Sequence, residues 1–316
     1  MRIDVHAHHL PADYMAALEQ GNGPSFGRPH DEATLEAMIG AQEAAGIDRQ
    51  VVCTGPNAPY LVDPALAADA ARRVNDRFQV ISTQFGGRFA AFGALPLPHG
   101  DLAAAEAVRC LDDLGLAGVQ MGCSALGKSL DDPSLDELWS ELDRREAIVY
   151  VHPGGVALGS EPGLAGMDDM AIAVTIGSAA EIATATLRLS RLCQKHRRVR
   201  PIIALLGGSL PFLLRRVGMI VGKWPMPSFL DGFESYEQLV SELRRFHYEV
   251  NLLPDPEAIR SASRAFGMDR LLFGSDAPSG TPQGALNFMA EAGLSDREIQ
   301  QIVGENPREL FGGALH

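Results

Sequence analysis

Two histidines lie two residues apart near the start of the chain, where the run DVHAH contains His6 and His8. Residues two apart in a β-strand point to the same side, so both imidazoles would project together from the carboxyl end of a first strand. Imidazole nitrogens bind divalent metals, with bonds of about 2.0–2.1 Å to zinc. The adjacent His9 points the other way by the same alternation. The spacing therefore predicts a metal site with His6 and His8 as ligands.

Two further residues with metal-binding side chains follow apolar segments. His152 comes directly after Ile148–Val151, and Asp276 follows the run LLFGS. If these segments are strands of a barrel, their carboxyl ends meet near its axis, which brings residues distant in sequence together. The sequence thus predicts a divalent metal ion bound by His6, His8, His152 and Asp276, with room left for water or substrate. The donor types favour zinc, and manganese or iron(II) would also fit.

The order of segments indicates how these ligands are positioned. Short, almost wholly apolar runs alternate with longer segments whose apolar residues recur every three or four positions, as in a buried parallel sheet covered by helices. Eight such units predict an α/β fold, a (β/α)8 TIM barrel forming a single domain over residues 1–316. A doubly wound open sheet is the alternative. The predicted strands are Arg2–Val5, Arg49–Cys53, Phe89–Leu95, Gly118–Met121, Ile148–Val151, Pro201–Leu205, Phe246–Val250 and Arg270–Phe273.

Three irregular stretches, near 21–30, 153–166 and 219–236, are predicted as loop insertions. Loops after barrel strands lie on the face that carries the active site, so we expect these stretches near the metal. Arg28, Lys128 and Lys223 fall in predicted loops, and each could bind a substrate carboxylate or simply be a solvated cation. Cys53 and Cys123 end predicted strands, where we expect a small buried role.

Composition limits the classes of partner. A net charge of −13 and a pI near 5.1 argue against nucleic acid. The four cysteines show no CxxC spacing, which indicates reduced thiols and a cytoplasmic protein. The start of the sequence has no apolar signal core, and no apolar run reaches membrane-spanning length. We therefore expect no membrane partner, and a small carboxylic acid or carbonyl compound as substrate.

Seen together, the motifs resemble the amidohydrolase superfamily, in the branch that includes aminocarboxymuconate semialdehyde decarboxylase and hydroxybenzoate-type decarboxylases. The resemblance covers nearly the whole chain. It implies a metal-dependent barrel, usually oligomeric, for which we expect a homodimer. It also implies that Asp276 moves a proton to or from the substrate, besides binding the metal. The motifs are DVHAHHLP, GALPL, GLAGVQMG, LDDPSLDELW, VYVHP, LLFGSDAP and GENPRELFG.

Two positions depart from that resemblance. The sixth strand in such proteins commonly ends in a histidine that polarises the substrate or helps to activate water, but here Leu205 takes its place. On the seventh strand, where an aspartate is often found, the run is FHYEV. His247 and Glu249 share a face of this strand, and we hypothesise that they form a pair that partly replaces the missing histidine. A buried, hydrogen-bonded His247 below the site is the alternative interpretation.

Leu205 also bears on the reaction, because an isobutyl group cannot transfer protons and loss of such a group often lowers rates by about 10²–10⁴-fold. Decarboxylation, with the metal binding a substrate oxygen and Asp276 moving the proton, depends less on activated water than hydrolysis does. We therefore expect a carbon–carbon lyase acting on a small unsaturated or aromatic carboxylic acid. Hydrolysis of an amide, ester or lactone by a metal-bound hydroxide is the alternative. A catalytically weak or non-enzymatic ligand-binding protein is the third possibility.

Overall fold

Eight parallel strands follow one another around a barrel in a computed structural model, which describes residues 1–154, 173–223, 230–250 and 255–312 together with Leu315. Each strand pairs with its neighbour in chain order, and the first and last meet at the Ala7–Ala277 bridge. The predicted (β/α)8 barrel is confirmed. The strands are β1 (Ile3–His8), β2 (Arg49–Cys53), β3 (Phe89–Ala94), β4 (Gly118–Gly122), β5 (Ile148–His152), β6 (Arg200–Ile203), β7 (His247–Val250) and β8 (Leu271–Phe273).

The strand ends differ from their predicted positions at the mouth of the barrel. Strand β1 continues to His8 and β5 includes His152, so these histidines lie within strands rather than after them. Strand β6 ends at Ile203 and not at Leu205, because the chain turns into a short 3₁₀ segment with left-handed residues. The sequence signal is apolar throughout this stretch, so it does not reveal the turn.

Helices cover the outside of the barrel. Several begin with a capping side chain followed by proline, as at Asp63 before Pro64 and Asp255 before Pro256, where the carboxylate accepts hydrogen bonds from the first free backbone N–H groups. The helices are α1 (Ala12–Gln20), α2 (Glu32–Ala45), α3 (Pro64–Gln84), α4 (Gly100–Val108), α5 (Asp136–Arg144), α6 (Ser178–Leu192), α7 (Leu210–Gly218), α8 (Tyr236–Leu243), α9 (Pro256–Phe266), α10 (Pro282–Glu291), α11 (Asp296–Gln300) and α12 (Asn306–Phe311).

The structure describes one of the three predicted loops in full and the other two in part. Between α1 and α2 the chain contains no helix or strand, as expected for 21–30. The second predicted loop, 153–166, lies outside the described residues from 155 onward, and the third, 219–236, lies outside them at 224–229. No helix in the described ranges is both long and apolar enough to cross a membrane.

Aromatic rings fill the barrel below its mouth. The Tyr150 ring lies 5.4 Å from the His6 ring and stacks on Phe92 at 5.3 Å. Phe311, from the last helix, stacks on Phe92 in turn at 6.3 Å. All three aromatic side chains are buried. This column of stacked rings fills the barrel beneath the site.

Candidate metal centre

Three imidazoles and one carboxylate converge at the mouth of the barrel. The Nε2 atoms of His6 and His8 are 3.0 Å apart, and Asp276 Oδ1 lies 3.4 Å from the first and 2.8 Å from the second. The His152 ring centroid is 5.1 Å and 5.3 Å from those of His6 and His8. One nitrogen from each histidine lies within 4.8 Å of the others. Four atoms bound to a tetrahedral zinc would be about 3.3 Å apart, and the Nε2 atoms of His6 and His8 and Asp276 Oδ1 lie near that spacing.

Hydrogen bonds on the outer side of two rings fix their tautomers. His6 Nδ1 donates to Glu249 Oε1 at 3.0 Å, and His152 Nδ1 donates to the carbonyl of Pro153 at 2.8 Å. A neutral imidazole has one proton, so in both rings Nε2 is left with a lone pair. Partners of this kind orient the histidine ligands of metals in proteins.

The third histidine differs from the other two. His8 Nδ1 lies 3.5 Å from the Cys53 sulfur. Burial disfavours the charged form of His8, but the neighbouring Cys53 and Asp276 outweigh it and raise the pKa. Burial and the charges of His6 and His8 instead lower the pKa of His152. His8 Nε2 and Asp276 Oδ1 thus face each other at 2.8 Å, close to where a cation shared by the four side chains would lie.

The arrangement fits a divalent cation on the chemistry of its atoms. Asp276 Oδ1 and the Nε2 atoms of His6 and His152 are all acceptors, and acceptors brought this close without a cation repel one another. Burial raises the pKa of Asp276, but the His8 hydrogen bond and the three histidine charges hold it well below its usual range. Metal ligands must be deprotonated, and this carboxylate already is.

A buried carboxylate beneath the site joins the strands that bear the ligands. Asp4 accepts hydrogen bonds from the backbone N of His6 at 3.1 Å, from Gln50 Nε2 at 2.8 Å, and from Ser275 through its N at 3.0 Å and its Oγ at 2.5 Å. Burial raises its pKa to about 6, although these hydrogen bonds lower it in part. Asp4 thereby ties β1 and β2 to the segment that ends in Asp276.

The backbone of Asp276 is itself unusual. Its φ of 58° lies in the left-handed region, which aspartate tolerates better than most residues. Its N donates to the His6 carbonyl at 2.9 Å, and its carbonyl accepts from Gly280 N at 2.8 Å. These bonds hold the turn that directs the carboxylate back toward the two histidines of β1.

Glu249 lies in this site, but it pairs with His6 and not with His247, the partner that the sequence hypothesis gave it. Its Oε1 accepts from His6 Nδ1, from the backbone N of Leu205 at 3.1 Å and from the Tyr150 hydroxyl at 3.3 Å. Its Oε2 is buried and has no hydrogen-bond partner among the described residues. A Cβ on Gly274 would come within 2.3 Å of that oxygen, so the glycine makes room for the carboxylate.

His247 does not take part. It begins β7, near Arg200 at the start of β6 and Arg270 just before β8, which is the opposite end of the barrel from the ligands. Its Nδ1 is buried and has no hydrogen-bond partner in the described ranges. Burial lowers its pKa to about 4, helped by the two arginines. The structure therefore brings Glu249 to the ligands and leaves His247 below the site, without the hydrogen bonds that the alternative interpretation expected.

Leu205 lies at the mouth, where the resemblance expects a histidine. It lines the cavity and begins four consecutive residues with positive φ, ending at Gly208. Two of these are leucines, for which this region is costly by about 1–2 kcal/mol each. The turn directs the Leu205 backbone N–H onto Glu249. Sequence alternation could identify the position of Leu205 but not the left-handed backbone conformation of residues 205–208.

A cavity of about 390 Å³ opens above the metal centre. The loop 21–30 forms one wall, held there because Phe26 N donates to Asn57 Oδ1 at 2.6 Å and Asn57 Nδ2 donates to the Phe26 carbonyl at 3.1 Å. Arg28 and His30 of this loop line the cavity. Lys128 does not, since it lies in a small hairpin near Ser134. Sequence reasoning had no signal for His30, which stands in a loop without periodicity.

The fold and the site define a barrel protein with a histidine-rich centre at the carboxyl ends of its strands. A family model described as amidohydrolase matches residues 3–313. The chain belongs to this family.

Curated relatives match the chain over almost all of its length. It is 27% identical over 329 residues to 6-methylsalicylic acid decarboxylase of Aspergillus aculeatus, covering 98% of this chain and 96% of that protein. It is 24% identical over 346 residues to 2-amino-3-carboxymuconate-6-semialdehyde decarboxylase of Dictyostelium discoideum, covering 99% and 92%.

Solved structures share the fold. One is 2,6-dihydroxybenzoate decarboxylase in complex with 2,6-dihydroxybenzoate, with a TM-score of 0.78, 22% identity and 98% coverage of each chain. Another is dihydroxybenzoic acid decarboxylase of Polaromonas sp. with bound manganese and 2-nitroresorcinol, with a TM-score of 0.77, 19% identity, and coverage of 98% of this chain and 96% of that chain.

Proposed function

We propose that this protein is a metal-dependent, non-oxidative decarboxylase of a small aromatic or unsaturated carboxylic acid. The relatives named above are decarboxylases of such acids, and the matches cover almost the full length of this chain and of each relative. The observation that carries the proposal is the convergence of Asp276 with three imidazoles beneath a cavity in which Leu205 occupies the place of a water-activating histidine. Proton transfer to carbon needs Asp276 alone, whereas hydrolysis would need a second proton-handling group.

His6, His8, His152 and Asp276 would hold the metal. Three imidazoles and a carboxylate favour zinc, with manganese as the second choice because a structural neighbour contains it. When bound, a divalent ion supplies positive charge against which a substrate oxygen can carry developing negative charge. Glu249 and the Pro153 carbonyl keep two of the rings in the tautomer that leaves Nε2 free.

Asp276 would move the proton. Its lowered pKa keeps it ionised before the acid arrives, so the proton that it gives to carbon must first come from the substrate's own hydroxyl. The carboxylate takes that proton and then delivers it to the carbon that bears the substrate carboxylate. The carbon–carbon bond breaks, its electron pair returns to the ring, and CO₂ leaves. Asp276 ends ionised, so protons and electrons balance.

The cavity would orient the acid through its two unlike walls. Arg28 is a cation on the loop wall, and it would bind the substrate carboxylate by charge-assisted hydrogen bonds. Leu205 and Pro278 are apolar and would contact the ring. The acid would therefore lie with its carboxylate toward Arg28 on the loop wall and its ring toward Leu205 and Pro278.

We also propose a cytoplasmic homodimer. All four cysteines are free and buried thiols, as is usual in a reducing compartment. Phe212 and Met219 on and just after α7 are 86% and 71% exposed, and a second copy would cover such side chains. Sedimentation at micromolar concentration tests this, and a monomer there would contradict it.

The decisive experiment measures CO₂ release. Protein stripped of metal and reloaded with zinc or manganese is incubated with 6-methylsalicylate and 2,6-dihydroxybenzoate, and with phenyl esters and lactones in parallel. We expect CO₂ and the corresponding phenol in equal amounts from at least one acid, and at least about a thousandfold loss in Asp276→Asn. Ester or lactone hydrolysis without CO₂ release would show a hydrolase instead.

A further inference from the structure

His30 closes the 21–30 loop against the end of β1. Its backbone N donates to the Leu10 carbonyl at 2.7 Å, and the backbone N of Leu10 donates in return to His30 Nδ1 at 3.2 Å. A backbone N–H can only donate, so Nδ1 carries no proton and the proton of the neutral ring is on Nε2. The loop thus fixes both the position and the tautomer of this imidazole.

The ring borders the same cavity as His8, His152 and Asp276. Since Leu10 uses Nδ1, Nε2–H is the donor that the ring can offer, and the His8 backbone carbonyl competes with a ligand for the ring's proton. The two histidine ligands whose outer nitrogens are hydrogen-bonded to Glu249 and Pro153 present lone pairs instead. His30 therefore presents a hydrogen-bond donor, whereas those two rings present acceptors.

The polarity of the cavity walls indicates which group of a ligand would face that donor. The loop is anchored after β2 by Asn57, and in an eight-stranded barrel β6, which leads to Leu205, lies directly opposite β2. Donors line one wall, in Arg28 and His30, while the opposite wall offers an isobutyl group. An anionic group of a ligand is attracted to the loop wall, where Arg28 supplies a positive charge.

We propose that His30 Nε2–H donates to the substrate carboxylate and, together with Arg28, determines the orientation in which the acid binds. This inference rests on the proposed function, since it takes an aromatic acid as the ligand. A carboxylate that leaves as CO₂ loses its charge in the reaction, so a donor that holds it stabilises the bound acid more than the transition state. Loss of His30 should therefore raise KM without lowering kcat.

Two substitutions separate this role from anchoring of the loop. In His30→Asn the side-chain oxygen can still accept from Leu10 N, but the amide is too short to replace Nε2. In His30→Gln the amide nitrogen reaches the place of Nε2, while the acceptor for Leu10 is displaced. His196→Gln is the matched control, because that ring lies by Trp139, away from the cavity.

The probes are 2,6-dihydroxybenzoate, its methyl ester and 6-methylsalicylate, with binding to metal-loaded protein measured by calorimetry and KM and kcat measured by CO₂ release. We expect His30→Asn to raise Kd and KM for the acids about tenfold or more. His30→Gln and the control should stay within about threefold of wild type. Binding of the ester, which lacks the anionic carboxylate, should change little in any variant.

Asn and Gln variants with equal Kd, or a loss confined to kcat, would overturn the inference. If wild type releases CO₂ and all variants bind alike, only the inference fails. If wild type binds the acids with the expected dependence on His30 but releases no CO₂, the proposed function fails and the binding role of His30 stands. A wild type that binds none of the acids overturns both.

Discussion

The strands of the barrel contribute to its mouth in two different ways. In the candidate-ligand strands β1, β5 and β8, the candidate ligands stand in or just after regular strands, and the outer atoms of the three imidazoles have defined partners in Glu249, Cys53 and the Pro153 carbonyl. In the supporting strands β6 and β7 no candidate ligand is found among the described residues, and after β6 the chain passes through four consecutive residues with positive φ. The first group would bind the metal, and the second supports it through the buried carboxylate of Glu249.

This difference teaches where a family resemblance transfers and where it does not. Ligands placed by strand alternation keep their positions as long as the strands keep their register. At Leu205 the side chain has changed, yet the backbone N–H of the same residue donates to Glu249, which in turn holds His6. The end of β6 thus supports the centre through its backbone and not through a side chain.

The strongest test removes a candidate ligand from the first group of strands. His152→Ala should lower the affinity for metal by more than about 100-fold and abolish turnover, because the ion loses one of three imidazoles. Competition with a chelator measures the affinity. His196→Ala, which lies outside the site, should bind metal like wild type. An unchanged affinity in His152→Ala would show that the described cluster is not the metal site.

The next test breaks the support from β7. Glu249→Gln should lower metal affinity about 10–100-fold, since the His6 ring loses its anionic partner. Competition with a chelator gives the affinity. Glu257→Gln, on the exposed start of α9, is the control. An affinity equal to wild type in Glu249→Gln would mean that the candidate ligands do not depend on support from β6 and β7.

A third test concerns His247, which the sequence hypothesis joined to Glu249. Its pKa of about 4, against 6.5 in an unfolded chain, means that the unfolded state binds the extra proton between these values. Its contribution is therefore nil above pH 6.5, and the free energy of unfolding falls as pH drops toward 4, by up to about 3 kcal/mol.

His247→Asn should flatten that part of the pH profile and leave turnover at neutral pH unchanged. Urea titrations between pH 4 and 7 measure the profile, with His196→Asn as the control. Arg200, Arg270 and Asp269 are the charged groups that act on this ring, and they stay in place. A fall in kcat in His247→Asn would restore the pairing hypothesis.

The smallest effect tests the space between Gly274, just after β8, and Glu249 of β7. Gly274→Ala would set a methyl group 2.3 Å from Glu249 Oε2 and 2.9 Å from His6 Cβ, which should destabilise the fold by about 1–3 kcal/mol and weaken metal binding. Gly40→Ala, in the exposed face of α2 with no atom within 4 Å of the new methyl, should stabilise by about 0.5–1 kcal/mol. Equal melting temperatures for the two variants would contradict the close packing.

The barrel, and the convergence of His6, His8, His152 and Asp276 at its mouth, could be predicted from the sequence because both depend on short-range regularities. Alternation placed His6 and His8 together, and the apolar runs located all eight strands. The contacts of Glu249 could not be predicted, since a two-residue period says which face a side chain takes but not its level along the barrel axis. His30 was missed because its tautomer is set by Leu10, through a loop that has no period.

The seam between β1 and β8 has a consequence for the order of events on the ribosome. Asp4 and the Ala7–Ala277 bridge connect the first strand to the last, and Asp276 stands beside that seam. A nascent chain that has been synthesised through β7 already contains all three histidines, but it lacks both the carboxylate and the strand that braces them. If the four residues hold the metal as proposed, high-affinity uptake requires the carboxylate that is synthesised last, and a chain that ends before it has an incomplete centre.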